Sequence, residues 1–284
     1  MSKGKTKLEG CFHEKGEEEM ELVIWIVYLT ITVTGGGLML LIPVPDPIRG
    51  IGLSVYRQVC TSILCIYIFR QYLCKTGGVR VFRKKELKCC IWAIVIGVGI
   101  CLGHRIFFLI FKDFVERSFH DIEAVVSLQD QAVFFTTVPG ILYVTLLGPV
   151  TEEIFFRGII FPVAAQRRGN LYAIMISSLL FAVMHFNGIQ FISALFMGVV
   201  VGYAVVLTDN VYIGVVIHVV NNAFSLFNAN FLNRFWGSMG FVQIAVGIIL
   251  LLFGCLMLWR ETGGVKGNWQ DSNKTWINPH VKRI

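Results

Sequence analysis

The sequence predicts an all-α, polytopic membrane protein with about eight transmembrane helices around a buried polar cavity. Its 284 residues are 55% hydrophobic, and the mean hydropathy is +0.69. Charged residues make up only 15% of the chain, well below the share typical of soluble domains. Apolar runs long enough to cross a bilayer recur along the whole chain. Together these observations exclude an ordinary soluble enzyme.

The N-terminal part predicts a short polar segment and then three spans. Residues 1–21 are polar and mixed in charge, so we expect a cytoplasmic segment and no cleavable signal peptide. The first span covers 22–44 and the second 51–73. The third covers 89–111 and follows 75–88, the most basic loop of the chain.

The fourth apolar run, residues 132–166, is unusually long. It follows 113–131, a mixed amphipathic segment expected along the outer surface. The run exceeds the roughly 20 residues that one straight crossing needs. Pro139 and Pro149 therefore predict a kink or a segment that runs along the surface first. Arg167-Arg168-Gly169-Asn170 predicts the turn that closes it.

Four further spans and a tail complete the chain. We predict one transmembrane domain over residues 22–259 and a flexible cytoplasmic tail over 260–284. Neither a repeat nor a second domain is expected. The remaining spans are 171–186, 189–207, 211–227 and 241–259.

Basic residues predict the orientation. The loop 75–88, Arg167-Arg168 and the tail are all basic, and eight spans place all three on one side, which is cytoplasmic by the positive-inside rule. Both termini would then be cytoplasmic. The net charge of +7 is explained by these segments, so it does not indicate a nucleic-acid partner.

The eight cysteines predict neither a disulfide framework nor a metal site. Most lie in or beside apolar runs, and no CxxC occurs, although Cys89 and Cys90 are adjacent. Reduced thiols that serve as small hydrophobic side chains explain this pattern.

Three ionisable residues, Glu152, Glu153 and Arg157, interrupt the long apolar run. Charges at such depth are costly and usually face a protein interior where they act. On a helix, Glu153 and Arg157 lie four apart and can pair. Glu152 points about 100° away, outside the reach of that pairing, which suits a general base. The alternative is a buried ion network that only locks helices together.

Two later spans carry further polar residues, His185 and the pair His218 and Asn222. His218 and Asn222 are one turn apart and share a helix face. Counted from the cytoplasmic helix ends, Glu152 lies roughly 22 Å deep, His185 roughly 21 Å and Asn222 roughly 17 Å. His218 comes out shallower, at roughly 11 Å. These depths favour one buried polar site.

This residue set predicts hydrolysis. A glutamate with a histidine can hold and deprotonate a water, while a second histidine and an amide can donate hydrogen bonds to the oxyanion formed at a carbonyl. Peptide hydrolysis fits that arrangement. Histidine and glutamate could also ligate zinc, although the HExxH signature of zinc peptidases does not occur in this sequence.

The order of these motifs resembles one family. Glu152-Glu153-x-x-x-Arg157, Phe181-x-x-x-His185 and His218-x-x-x-Asn222 follow one another on separate spans, as in the CPBP family. That family comprises CAAX prenyl endopeptidases and bacteriocin-processing or immunity-linked (Abi-like) membrane proteases. The resemblance covers about residues 132–227 and departs from the pattern at none of the motif positions.

The resemblance implies an eight-helix intramembrane protease with an active-site cavity open toward the cytosol. By that analogy Glu152 activates the water with help from His185, and His218 and Asn222 form the oxyanion hole. Glu153 and Arg157 would support them. A glutamate-activated water without metal is expected; in a zinc-dependent version the ligands would be Glu152, His185 and His218.

The same resemblance leaves the substrate and the physiological role open. It implies a hydrophobic or lipidated peptide in the lipid bilayer, without fixing whether the role is processing, immunity or signalling. The short loops suggest a bacterial plasma membrane. The oligomeric state is not predicted.

Two other classes of function compete with the protease. One is a non-catalytic immunity or peptide-binding protein of the same fold, against which the complete motif set argues. The other is a transporter or channel, against which the concentration of ionisable groups in one site argues.

Overall fold

The structure is a computed structural model that describes residues 24–31, 33, 52, 56, 59–64, 86–107, 109–110, 137–185, 188–227 and 240–264. Within these residues all regular secondary structure is helical. The predictions for 1–21 and 113–131 lie outside the described residues, as do most of the first two spans and of the tail.

From Glu86 onward, the described residues form seven α-helices and two π-helical turns. The turns lie at either side of the helix that carries the two glutamates. The elements are α1 (Glu86–Gly103), α2 (Val138–Leu142), π1 (Tyr143–Leu147), α3 (Gly148–Phe155), π2 (Phe156–Ile160), α4 (Phe161–Val183), α5 (Gly188–Thr208), α6 (Val211–Phe227) and α7 (Gly240–Thr262).

Three helices of the described chain are long and apolar enough to cross a membrane, namely Leu87–Phe107, Gln190–Thr208 and Gly240–Thr262. Two more apolar helices, Arg168–Val183 and Val211–Phe227, are shorter. An all-helical architecture with three candidate membrane spans is therefore confirmed across the described residues. The number of eight spans stays a prediction.

Helix α4 is broken where the sequence predicts a turn. Gly169 has φ 84° and ψ 172°, a backbone conformation that glycine adopts without steric cost. The break separates a first arm that continues the glutamate-bearing run from a second arm that ends near His185. The predicted turn at residues 167–170 is thus confirmed.

The prolines of the long run widen the helix instead of breaking it. Each π turn ends shortly before a proline: Gly148 donates its N–H to Tyr143 O ahead of Pro149, and Phe161 donates to Phe156 O ahead of Pro162. A proline has no N–H, and its ring crowds the carbonyl four residues back. A wider turn relieves both problems. The predicted kink at Pro149 is therefore a π turn within a continuous helical path.

Glycines bring α1 and α7 into backbone contact. A Cβ atom at Gly99 would lie 2.5 Å from Leu251 N, and one at Gly254 would lie 2.8 Å from Ile96 Cγ1. Helix α1 also packs on α6, because a Cβ at Gly97 would lie 2.7 Å from Ile217 O. Small residues allow such approach in membranes, where the close packing itself supplies the attraction.

Close approach at glycines also joins α4 and α5. A Cβ at Gly198 would meet Ser178 Cβ at 2.8 Å, and one at Gly202 would meet Ile174 Cγ1 at 3.3 Å. Gly198 and Gly202 are one turn apart, so they form a smooth stripe on α5. This stripe places the backbone of α5 close to the glutamate-bearing helix.

The N-terminal helical residues 24–31 support α3 from behind. The Tyr28 ring stacks on Phe155 with centroids 4.2 Å apart, and its exposure is only 2%. Trp25 Nε1 donates a hydrogen bond to Leu180 O at 3.2 Å. The aromatic contacts fix the rotation of α3 about its axis, and thereby the direction of the side chains on its other face.

The observed ends of the last and third spans differ slightly from the prediction. Helix α7 continues through Thr262, so the first residues assigned to the tail are helical. Helix α1 begins at Glu86, three residues before the predicted start, and a turn at His104 interrupts it after Gly103.

Candidate active site

Glu153 and Arg157 form a buried ion pair, as the sequence predicts. Arg157 Nη1 donates to Glu153 Oε1 at 3.1 Å, and both side chains are fully buried. Arg157 Nη2 also donates to Gly198 O on α5 at 3.0 Å. The guanidinium therefore ties the glutamate-bearing helix to the backbone of α5.

His218 lies between the two glutamates. Its Nδ1 is 2.9 Å from Glu153 Oε1, and because a carboxylate oxygen accepts, this nitrogen is the donor. On the other side Nε2 is 3.9 Å from Glu152 Oε2. The exposed side-chain fraction is 2% for His218 and 14% for Glu152. The imidazole is thus held by the buried carboxylate and turned toward the more accessible one.

The expected difference in depth between His218 and Glu152 is wrong. Straight-helix counting places them on different levels, but His218 contacts Glu153 directly. The π turn at Phe156–Ile160 changes the rise of the run after the glutamates, and counting assumes that the ends of both helices lie at one height. A count of residues along each helix therefore misplaces their relative heights.

Space for this contact comes from Gly214, one turn before His218. A Cβ atom there would lie 3.2 Å from Glu153 Oε2 and 3.0 Å from Val201 Cγ1. Glycine lets α6 approach both α3 and α5. Any larger residue would push His218 away from the carboxylate.

Asn222 is held by the carbonyl of Val144. The π1 turn and Pro149 leave this carbonyl without the N–H donors that a helix normally provides. In a regular helix Val144 O would accept from the N–H of Gly148, but Gly148 donates to Tyr143 O. The next residue, Pro149, has no N–H. Asn222 Nδ2 donates to Val144 O at 2.9 Å instead.

His185 and His218 lie against the same aromatic ring. Phe181 contacts His185 edge to face with centroids 4.9 Å apart and His218 at 5.5 Å. Arg157 Cζ lies 5.1 Å from the same centroid. His185 follows the end of α4, where its Nδ1 is 3.1 Å from Phe181 O. A carbonyl accepts, so Nδ1 is the donor of this hydrogen bond.

The structure thus brings four of the six predicted residues into one network, and His185 is linked to it through the shared Phe181 ring. Glu152, Glu153, Arg157 and His218 are in one network, and Asn222 follows His218 by one turn. Sequence reasoning missed the backbone partners Val144 and Gly198 and the spacer Gly214. Only Pro149, which comes just after the widened turn, offered a sequence signal for any of these.

A zinc ion at this site would need Glu152, His185 and His218 as its ligands. Across the described residues, no group of three or more His, Cys, Asp or Glu side chains is arranged to hold a metal ion. The described side chains therefore do not fit a three-residue metal site.

Comparison with known proteins agrees with the resemblance seen in the motifs. Residues 134–224 match the family model described as type II CAAX prenyl endopeptidase, Rce1-like. The chain is 36% identical over 91 residues to the membrane-embedded CAAX protease MroQ of Staphylococcus aureus (strain USA300). This match covers 30% of the chain and 36% of that relative, so it spans about a third of each. No solved structure matches the chain. The similarity to the CPBP family of intramembrane proteases is confirmed over this segment.

Proposed function

We propose that the chain is an intramembrane endopeptidase that uses a glutamate-activated water. The observation that carries the proposal is the gap of 3.9 Å between Glu152 Oε2 and His218 Nε2. It is too long for a hydrogen bond, yet a water about 2.8 Å from both atoms would bridge it. The gap opens beside the more exposed of the two glutamates.

We propose one arrangement of hydrogen-bond donors from the charges of the group. Glu152 and Glu153 carry two negative charges, and Arg157 supplies one positive charge. A protonated His218 would make the group neutral, which is favourable in a medium of low dielectric constant. Its Nδ1–H is then given to Glu153, and its Nε2–H points toward the water beside Glu152.

The proposed reaction moves one proton through Glu152. Glu152 takes a proton from the water as the oxygen attacks the scissile carbonyl, assisted by the lone pair on His185 Nε2. The carbonyl oxygen becomes an oxyanion that accepts hydrogen bonds from His218 Nε2–H and from the second amide N–H of Asn222. Glu152 then gives its proton to the departing amine, and the peptide bond breaks.

Substrate class follows from the surroundings and from the description of the matched family. A site among apolar helices admits hydrophobic segments, and a prenyl endopeptidase acts on lipidated chains. We therefore propose a hydrophobic or lipidated peptide that reaches the site from the bilayer. The termini would be cytoplasmic and the membrane that of a bacterial cell.

The test is a cleavage assay on a mixed set of candidate peptides. Purified protein in detergent is incubated with a pool of hydrophobic peptides, which includes one peptide with a farnesylated cysteine three residues from its C-terminus and its unmodified twin. Mass spectrometry then identifies peptides cleaved by the wild type and not by Glu152→Gln. If the wild type and Glu152→Gln both leave every peptide of the pool uncleaved, the proposal is rejected in favour of a non-catalytic peptide-binding or immunity protein.

Metal dependence is tested in the same assay. We expect cleavage to persist after chelation, because the proposed steps use only side chains of the chain. Loss of cleavage on chelation, restoration by zinc, and one zinc per purified molecule would together establish the zinc-dependent alternative.

A further inference from the structure

Asn221, directly before the predicted oxyanion donor, is engaged in a side-chain contact within the site. Its Nδ2 donates to Asn222 Oδ1 at 3.0 Å. Asn222 Nδ2 in turn donates to Val144 O at 2.9 Å. The two amides and the carbonyl form a three-member relay that begins on π1 and ends on α6.

The Val144 carbonyl fixes the direction of this relay. A carbonyl oxygen only accepts, so the side-chain nitrogen of Asn222 must face Val144. Asn222 Oδ1 then points to Asn221, which must present its own nitrogen. The orientation of both amides follows from one backbone atom, and that atom is available because Gly148 donates elsewhere and Pro149 has no N–H.

From this geometry we infer that Asn221 is a positioning residue that orients and polarises Asn222; the inference rests on the proposed endopeptidase function. Asn222 has two N–H bonds, one given to Val144 and one left for an oxyanion. A hydrogen bond accepted at Oδ1 draws electron density from the amide and strengthens its N–H donors. Asn221 supplies that bond.

The remaining oxygen of Asn221 supports a role for the amide beyond packing. Across the described residues, Asn221 Oδ1 is a buried atom without a hydrogen-bond partner. Leaving a buried acceptor unmatched is costly. A residue that served only to pack would be better replaced by an apolar side chain, so the amide is retained for its donor.

A double-mutant cycle tests the inference on a peptide that the wild type cleaves. Asn222→Ala should lower kcat by about 10²–10³. Asn221→Ala should lower kcat by about 10–100-fold, as outer partners of catalytic ligands do, with little change in KM. In the Asn222→Ala background, Asn221→Ala should have almost no effect on kcat, because the amide that Asn221 orients is no longer present.

Two further variants separate positioning from folding. Asn221→Leu keeps about the same size but removes the donor, so it should resemble Asn221→Ala in kcat. Ser225→Ala is the control, because it removes a different half-buried polar group of α6. The Ser225 hydroxyl donates to Cys101 Sγ at 3.2 Å, and its loss should leave kcat within about twofold of the wild type. All variants are compared at equal folded fraction.

The outcomes separate a failure of the Asn221 relay from a failure of the proposed endopeptidase function. A wild type that cleaves no peptide of the pool overturns the proposed function. If the wild type cleaves, two results overturn the relay alone. One is that Asn221→Ala and Asn222→Ala lower kcat independently, and the other is that Asn221→Leu is fully active.

Discussion

Two regions of this protein join their helices by different means. Between α1 and α7, glycines such as Gly99 and Gly247 allow backbones to touch. In the active site, α3, α5 and α6 are joined through the buried groups Glu153, Arg157 and His218. The first region gains only packing energy, whereas the second keeps charges in an apolar environment.

The difference supports the proposal that the charged region positions reacting groups. Replacing a buried ion pair by well-packed apolar residues is often neutral or stabilising. Across the described residues, Glu153 Oε2 and Arg157 Nε even lack hydrogen-bond partners while buried. A glycine contact like that of α1 and α7 would have served stability at lower cost, so the charged network is retained for what it positions.

The largest expected effect lies in the active site and leaves stability unchanged. Glu152→Gln keeps shape and hydrogen bonding but cannot take the proton of water, so activity should fall by at least about 10²–10⁴ with normal folding. The measurement is kcat/KM on a cleaved peptide. Glu261→Gln, at the end of α7, is the matched control and should stay active. A folded Glu152→Gln protein that cleaves at nearly the wild-type rate would remove the hydrolytic assignment.

The second effect is on folding and again concerns the charged network. Arg157→Ala leaves Glu153 buried without its countercharge, which should destabilise the protein by about 3–5 kcal/mol. Thermal melting in detergent measures it. Arg105→Ala is the control: Arg105 is only half-buried and donates to Gln243 Oε1 at 2.8 Å, so its loss should matter much less. Unchanged melting of Arg157→Ala would show that the pair is not structural.

The third effect addresses the glycine-packed region. At Gly99 a methyl group would meet the backbone of Leu251, so Gly99→Ala should push the helices apart and cost about 1–3 kcal/mol. The molecules that remain folded should keep their activity. At Gly103 a Cβ has its nearest contact at 3.7 Å, and Gly103→Ala should be tolerated. Equal melting of the two variants would mean that this interface is not tightly packed.

The smallest effect is expected from single cysteines introduced for labelling at Lys84, Arg168 and Lys274. These positions should label only from the cytoplasmic side, because all three lie in basic segments, and activity should be unaffected. Arg168 is exposed on its helix. Any one of the three found outside would reject the predicted orientation.

Local physics accounts for what could be predicted from the sequence. The Glu153–Arg157 pair depends on a spacing of four residues, which the period of a helix decides. The break at Gly169 depends on a conformation that glycine adopts readily. The ends of α5 and α6 follow from apolar runs and the turn at Asp209-Asn210. Each of these needs only neighbouring residues.

The tertiary structure alone decided how these pieces meet. His218 reaches Glu153 across 65 positions, and Asn222 reaches Val144 across 78. Such contacts depend on how closely the helices pack, which Gly198 and Gly214 permit, and on π turns that shift the path of the run. Counting along straight helices therefore identified the residues of the site but separated His218 from its partner. The sequence determined which groups are available, and packing determined which atoms face each other, because helix period fixes directions within one helix and says nothing about the distance between two.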